Sequence, residues 1–206
     1  MDLIRKYFPG LDQLQERQFE KLLLIVPSLN EKVNIISRKD IHHLEERHVL
    51  HSLAIAKKFS FYSGTSIIDV GTGGGFPGIP LAIMFPDASF TLVDSILKKI
   101  RLVRELADTL ELRNITTVRA RIEDLDLKTD FVVSRAVTSF PQLYTWCSRL
   151  IKHGGQNQSP NGLISLKGGN LEEEIGSLKK RPELYSVSDW FEEPFFLTKR
   201  IVYLKK

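Results

Sequence analysis

The chain has 206 residues, 42% hydrophobic and 26% charged, with 29 Lys and Arg against 25 Asp and Glu and a formal net charge of +4. That is enough apolar side chain for one substantial core with a small annex and too little for two full enzyme domains; the mild basic excess is spread along the chain, compatible with a nucleic-acid partner without demonstrating one. A single cysteine excludes an internal disulfide, no Cys/His spacing suits zinc, and the longest apolar run, Leu22 to Val26, is far too short to cross a membrane or serve as a signal core, so a soluble cytoplasmic protein is expected.

In the first quarter Leu11, Leu14, Leu22, Leu23, Val26, Leu29 and Val33 fall mostly three or four apart, one buried helical stripe. Pro27 interrupts it and predicts a kink or two short helices, because an interior proline removes a hydrogen bond and crowds the preceding turn. Ile41 to Phe59 reads as a second helix, and "SFYSG" at 60–64 as a linker, so residues 1–60 form a helical extension and 61–206 the main domain. From Ile67 short apolar runs alternate with amphipathic stretches, the βαβ texture of a parallel sheet covered by helices. Strands are predicted at Ser66–Val70, Phe90–Val93, Thr117–Ala120, Phe131–Ser134 and Leu163–Leu166, with helices at Gly78–Phe85, Ser95–Leu112, Ser139–Lys152 and Leu171–Lys180. Two last β-like runs, Leu184–Trp190 and Phe195–Leu204, stand too close together for a helical crossover and predict an antiparallel pair at the sheet edge. The fold class is therefore α/β, mostly parallel, with an antiparallel C-terminal edge.

The first strand opens into "DVGTGGGFPG", five glycines within eight positions leading into a helix, and residues 73, 75 and 78 satisfy G-x-G-x-x-G. That is the nucleotide-binding entry of a βαβ unit, weak by itself. The acid before the glycines, Asp69 in D-x-G-x-G-x-G with Gly71 and Gly73, separates two cofactors. A pyrophosphate gains nothing from a neighbouring carboxylate, whereas S-adenosylmethionine (SAM) carries an ammonium and a sulfonium that an acid favours. Asp94 ends the next strand and can accept both ribose hydroxyls, in SAM or NAD alike. After the third strand, Ile122 and Glu123 can offer an adenine an apolar face and a backbone edge; alternatively Glu123 and Asp124 only cap the following turn.

The loop after the fourth strand, "FVVSRAVTSFPQL", faces the donor methyl and selects the acceptor. It carries no D/N-P-P-Y/F loop for exocyclic amines and no acid cluster for a metal, and Cys147 lies mid-helix, where a core role outweighs a nucleophile for pyrimidine carbon-5. An acceptor that is already a nucleophile remains, and guanine N7 fits: no proton leaves, so no general base is needed. Arg135 is then a positioning cation for the methionine carboxylate, a phosphate or the guanine edge, or else the ion-pair partner of Asp69 or Asp94.

Here the residues resemble a known family, the bacterial 16S ribosomal RNA guanine-N7 methyltransferases RsmG, also called glucose-inhibited division protein B. The resemblance rests on "VNIISRKD" at 33–40, "RHVLHS" at 47–52, "IDVGTGGGFPGIPLAI", "LVDSILKKIRLV", "RIEDL", "VSRAV" and "LKGG", in that order. It implies a Rossmann-like SAM-dependent methyltransferase fold, methyl transfer to N7 of a guanosine in the 530 loop of 16S RNA, SAM contacts at Gly71, Phe76, Ile122, Glu123 and Arg135, and Asp94 on the ribose. Two departures stand out: His51 occupies the place of an acid in that family's R-H-x-x-D-S, and Pro27 lies in the N-terminal helix.

His42, His43, His48 and His51 crowd one helix, but one turn offers a metal two ligands at most, so no metal is expected and His48 is assigned to bridging the N-terminal helices to the sheet. Lys98 and Arg101 form either a solvated helix face or an RNA contact, Lys167 at the end of the fifth strand is the better candidate for a substrate phosphate, and Lys199 and Arg200 follow. The expected partner is 16S RNA or the 30S subunit, and the expected state a monomer. A non-catalytic ribosome-assembly protein with the same fold is the main alternative; an NAD-dependent oxidoreductase is disfavoured by Asp69.

Overall fold

The strands Ser66–Val70 (β1), Ser89–Asp94 (β2), Ile115–Arg119 (β3), Phe131–Arg135 (β4), Gly162–Gly168 (β5), Glu183–Ser186 (β6) and Lys199–Lys205 (β7) form one sheet in the order β3-β2-β1-β4-β5-β7-β6. In the computed structural model every residue is described except 34, 35, 38, 39 and 177, and the side chain of Lys32, so Asn34, Ile35, Arg38 and Lys39 of the 33–40 segment lie outside the described residues. The first five strands run parallel, and β7 pairs antiparallel with both β5 and β6, as the short C-terminal connection predicts.

Both faces of the central strands are covered, which is why the consecutive residues Ile67 and Ile68 of β1 are both apolar and buried. Ile67, Phe90, Leu92, Phe131, Val133 and Ile164 face one layer; Ile68, Val70, Val93, Val132 and Leu163, one residue out of step along their strands, face the other. The first layer holds Asp2–Tyr7 (α1), Gln13–Val33 (α2), His51–Lys58 (α3), Gly78–Met84 (α4) and Leu97–Thr109 (α5). The second holds Phe140–Cys147 (α6) and Glu172–Gly176 (α7).

Of the two outcomes Pro27 predicts, a kink or two short helices, the second does not occur: the α2 helix runs from Gln13 to Val33 with Pro27 inside it. Its buried stripe is Phe19, Leu22, Val26 and Leu29, whereas Leu14 is 53% exposed. Gln18 Nε2 donates to the Leu110 carbonyl (2.9 Å) and Gln15 Nε2 to that of Ile83 (3.1 Å), tying α2 to the helices beneath it. The second helix also departs from the plain α-helix expected over 41–59. Ile41–His43 is a 3-10 turn, Leu44–Leu50 is wound as a π-helix, and only then does α3 begin. Leu44 and Val49 are both buried, and residues five apart share a face better in i→i+5 winding than in an α-helix, which advances 100° per residue. No helix of the described residues is long and apolar enough to cross a membrane.

Candidate cofactor cleft and substrate edge

Strand order reverses between β1 and β4, and in an open α/β sheet the carboxyl ends at such a point frame a crevice. A cleft of about 440 Å³ lies there, lined by Gly71 after β1, Asp94 at the end of β2 and Ile96 beyond it, Ile122 and Glu123 after β3, and Val137 after β4. Gly71 has φ +65°, and a Cβ built on it would stand 2.5 Å from Val137 Cγ2, so a bare backbone is what lets the two loops approach.

Asp94 sits at the edge of this cleft with its carboxylate already oriented. Oδ2 accepts from the Gly73 amide (3.1 Å), Oδ1 from the Ile96 amide (2.9 Å), and Lys99 Nζ lies 3.7 Å from Oδ2. Each oxygen keeps a second lone pair for a hydroxyl donor. Ile122 and Glu123 open a 3-10 turn, so their amides precede its first intrahelical bond. Arg149 clamps the same turn from beneath, Nη2 donating to the carbonyls of Ile122 (3.1 Å) and Glu123 (2.6 Å) and Nη1 to that of Leu125 (2.6 Å). Sequence reasoning missed Arg149, because nothing in "CSRLIKH" signals a contact 24 to 27 residues back along the chain.

Asp69 is fully buried. Its Oδ2 accepts from Thr72 Oγ1 (2.6 Å) and the Gly78 amide (2.9 Å), while Oδ1 has no hydrogen-bond partner among the described residues. Burial lifts its carboxyl to about 6, opposed by those two hydrogen bonds and by the charge of Arg135. The acid thus ties the glycine loop to the start of α4. A Cβ on Gly78 would fall 2.7 Å from Asp69 Oδ2 and 2.9 Å from Leu92 Cγ. Gly78→Ala is therefore expected to lower the unfolding free energy by about 1–3 kcal/mol through overpacking. Urea midpoints of the two proteins measure it, and equal midpoints would show that the neighbours give way.

Arg135 ends β4 and none of the described ion pairs includes it. Nη1 donates to the Arg47 carbonyl (3.3 Å), Nη2 meets His48 Nδ1 (3.0 Å), and the guanidinium lies 5.2 Å from the centre of the Phe76 ring. Burial pushes its pKa down to about 10, partly offset by attraction to Asp69. Phe76 is only 3% exposed, packed edge-on against His48 at 5.7 Å; the cleft lining described above does not include it. His48 does bridge the N-terminal helices to the sheet.

The basic candidates separate. Lys167 is spent on Glu174 Oε1 (2.8 Å) and the Thr138 carbonyl, joining the loop after β4 to α7. Lys199, opposite Gly168 on β7, lies 4.5 Å over the Phe195 ring, and Arg200, opposite Lys167, donates to the carbonyls of Leu197 (3.1 Å) and Lys199 (2.9 Å). Lys98 and Arg101 line a different groove, between α2 and α5. Cys147 is buried, and burial pushes its thiol up to about 12, so it stays protonated at neutral pH. Among the described residues no group of three or more His, Cys, Asp and Glu is arranged to hold a metal ion.

Comparison with known proteins places this architecture. A solved SAM-dependent methyltransferase from Aquifex aeolicus superposes with a TM-score of 0.57 over 82% of this chain and 97% of that one at 16% identity, a likeness of fold alone. The ribosomal RNA small subunit methyltransferase G of Bacteroides thetaiotaomicron is 51% identical over 203 residues, 98% of either chain. That of Flavobacterium psychrophilum is 49% identical over 204 residues, 99% of this chain and 97% of its own. The family model described as rRNA small subunit methyltransferase G matches residues 15–200, and with relatives about half identical from end to end the chain belongs to that family.

Proposed function

We propose that this protein transfers a methyl group from S-adenosylmethionine to N7 of a guanosine in 16S ribosomal RNA, within the 530 loop. The observation that carries the reading is a nucleoside-sized cleft edged by Asp94, next to a partly buried cation, Arg135, whose hydrogen-bond partners among the described residues are neutral. The residues suit the cofactor group by group. Asp94 has lone pairs for the ribose hydroxyls, Ile122 and the amides at 122 and 123 suit adenine, and Asp69 supplies negative charge near a sulfonium and ammonium. Arg135 suits the methionine carboxylate.

When bound, SAM supplies a methyl group on positively charged sulfur. The chain's own residues hold and orient, align the acceptor, and exclude water. N7 presents a lone pair with no proton to remove, which agrees with a site whose thiol is locked in the core. The ribosomal RNA substrate follows the names of the relatives, and N7 and the 530 loop follow what the resemblance to the RsmG family implies. Lys199 and Arg200, at the carboxyl edge beyond β5, and Lys98 and Arg101 on α5 are proposed to meet RNA phosphates, with Lys167 holding the loop beside them. N7 lies deep in the narrow groove of A-form RNA, so the target base must be looped out or extruded.

Incubation with radiolabelled SAM and 16S RNA or 30S subunits is expected to yield labelled 7-methylguanosine on nucleoside analysis. Label at another base position would sink the N7 assignment. No transfer and no calorimetric binding of SAM would favour a non-catalytic RNA-binding protein.

A further inference from the structure

The geometry points to His48 as the positioning residue for Arg135, presented to it by the π-helical turn Leu44–Leu50. This rests on the reading that Arg135 serves the SAM carboxylate. A π-turn is less favourable than α-helix and persists mostly where it has a use. Here the use is visible. In an α-helix the amide of His51 would take the carbonyl of Arg47; instead it reaches past it to Glu46 and also contacts the His48 carbonyl. The Arg47 oxygen accepts Arg135 Nη1 at 3.3 Å. One residue on, His48 turns its Nδ1 to Arg135 Nη2 at 3.0 Å.

A guanidinium only donates, so Nδ1 must be the bare acceptor and the ring proton must sit on Nε2. Burial and the neighbouring Arg135 cation keep His48 neutral, lowering its pKa to about 4; Arg47 acts in the same direction and Asp40 against it. The Ser52 hydroxyl anchors the His48 carbonyl (2.6 Å), and the Arg47 guanidinium is itself tied to Asp40 (2.9 Å). Phe76 completes the seat, its ring under Arg135 and in a T-shaped contact with His48.

The choice of a neutral acceptor has a reason. A carboxylate at this place would fix Arg135 equally well but would cancel its charge, and the cation would lose its attraction for an anionic ligand. Two neutral acceptors and an aromatic face fix the fork while leaving the charge and three of its five N–H groups unspent. A histidine present only for packing would need no bare ring nitrogen turned to a cation.

Four proteins test this: wild type, His48→Phe, Arg135→Ala and the double variant, with His48→Asn as rescue. The first readout is the nitrogen-15 NMR signal of the Arg135 guanidinium, whose Nη groups are expected to rotate slowly in wild type and freely in His48→Phe. The second is calorimetric affinity for SAM, expected to fall about tenfold in His48→Phe, the loss of one charge-assisted hydrogen bond. His48→Asn, whose Oδ1 can stand in for Nδ1, is expected to recover most of it. In the Arg135→Ala background, His48→Phe is expected to add nothing. Unchanged Arg135 signals in His48→Phe, or fully additive losses, would overturn the positioning role. Freed Arg135 signals with wild-type affinity in Arg135→Ala would uphold the positioning and overturn only the carboxylate reading.

Discussion

Arg135→Ala is expected to weaken SAM binding on the order of 100-fold while leaving the thermal midpoint within a few degrees of wild type. The two halves of this expectation come from one observation. Among the described residues Arg135 has no carboxylate partner: its hydrogen bonds go to the Arg47 carbonyl and the His48 ring. Burial therefore costs this guanidinium more than its protein contacts return, which is why its pKa falls to about 10. Removing it relieves that cost even as the Arg47 carbonyl loses a donor and Phe76 a cation, so stability changes little. The ligand has no such compensation. Losing one partner of a desolvated, charge-assisted pair costs about 2–5 kcal/mol, largely because the anion is left unpaired. Arg135→Lys is expected to recover only part of the loss, since a single ammonium cannot meet the Arg47 carbonyl, His48 and a carboxylate with the geometry of a planar fork. Calorimetry with SAM and a thermal scan on the same samples measure both quantities. Wild-type affinity in Arg135→Ala would end its role in cofactor binding, and a collapsed midpoint would show that it belongs to the core.

The features legible in the sequence were those whose physics is local. The β1 strand was bounded residue by residue because it is a short apolar run closed by a glycine turn, and Asp94 was placed because the end of β2 must fall beside that turn. The antiparallel C-terminal edge followed from a connection too short for a helix. What escaped depends on partners far away in sequence. The π-winding at 44–50 answers to Arg135, 88 residues from Arg47 and 87 from His48. Lys167, read as a candidate for a substrate phosphate at the end of β5, is instead held by the Thr138 carbonyl, 29 residues back, and by Glu174 of α7. Phe19 rather than Leu14 entered the stripe of α2 because the underlying helices, not the period alone, decide where the stripe begins. Phe76 shows the limit most clearly. Its place in the glycine loop was plain from sequence, but only the packed His48 and Arg135 reveal that its ring supports the cation.

Asp69→Asn is expected to make the protein more stable above pH 6 and a poorer SAM binder. In wild type the buried carboxyl holds its proton up to about 6, whereas an unfolded aspartate releases it near 3.8. Below 3.8 both states are protonated and burial carries no ionisation penalty. As pH rises from there the unfolded chain loses its proton first, so the folded state is the greater proton binder and its stability falls until Asp69 too has ionised. At about 1.4 kcal/mol for each pH decade, the full penalty above pH 6 is roughly 3 kcal/mol. Asparagine is isosteric and neutral at every pH, and its oxygen can still accept from Thr72 and the Gly78 amide. Its amide nitrogen would inherit the position of Oδ1, which has no described partner, and that unsatisfied donor takes back about 1 kcal/mol or more. The net gain at pH 8 is therefore about 1–2 kcal/mol, a rise of roughly 2–8 °C in thermal midpoint, shrinking toward pH 4. SAM affinity should move the other way, falling about tenfold, because a neutral amide no longer offsets the cofactor's two positive centres. Thermal scans from pH 4 to 8 and calorimetry at pH 8 separate the two effects. Parallel stability curves would show that the buried acid carries no penalty, and equal affinities would reduce Asp69 to a fastener for the glycine loop. If both effects appear together, the acid is kept at a standing cost in stability because its charge is used, the exchange expected where a buried ionised group serves a ligand rather than the fold.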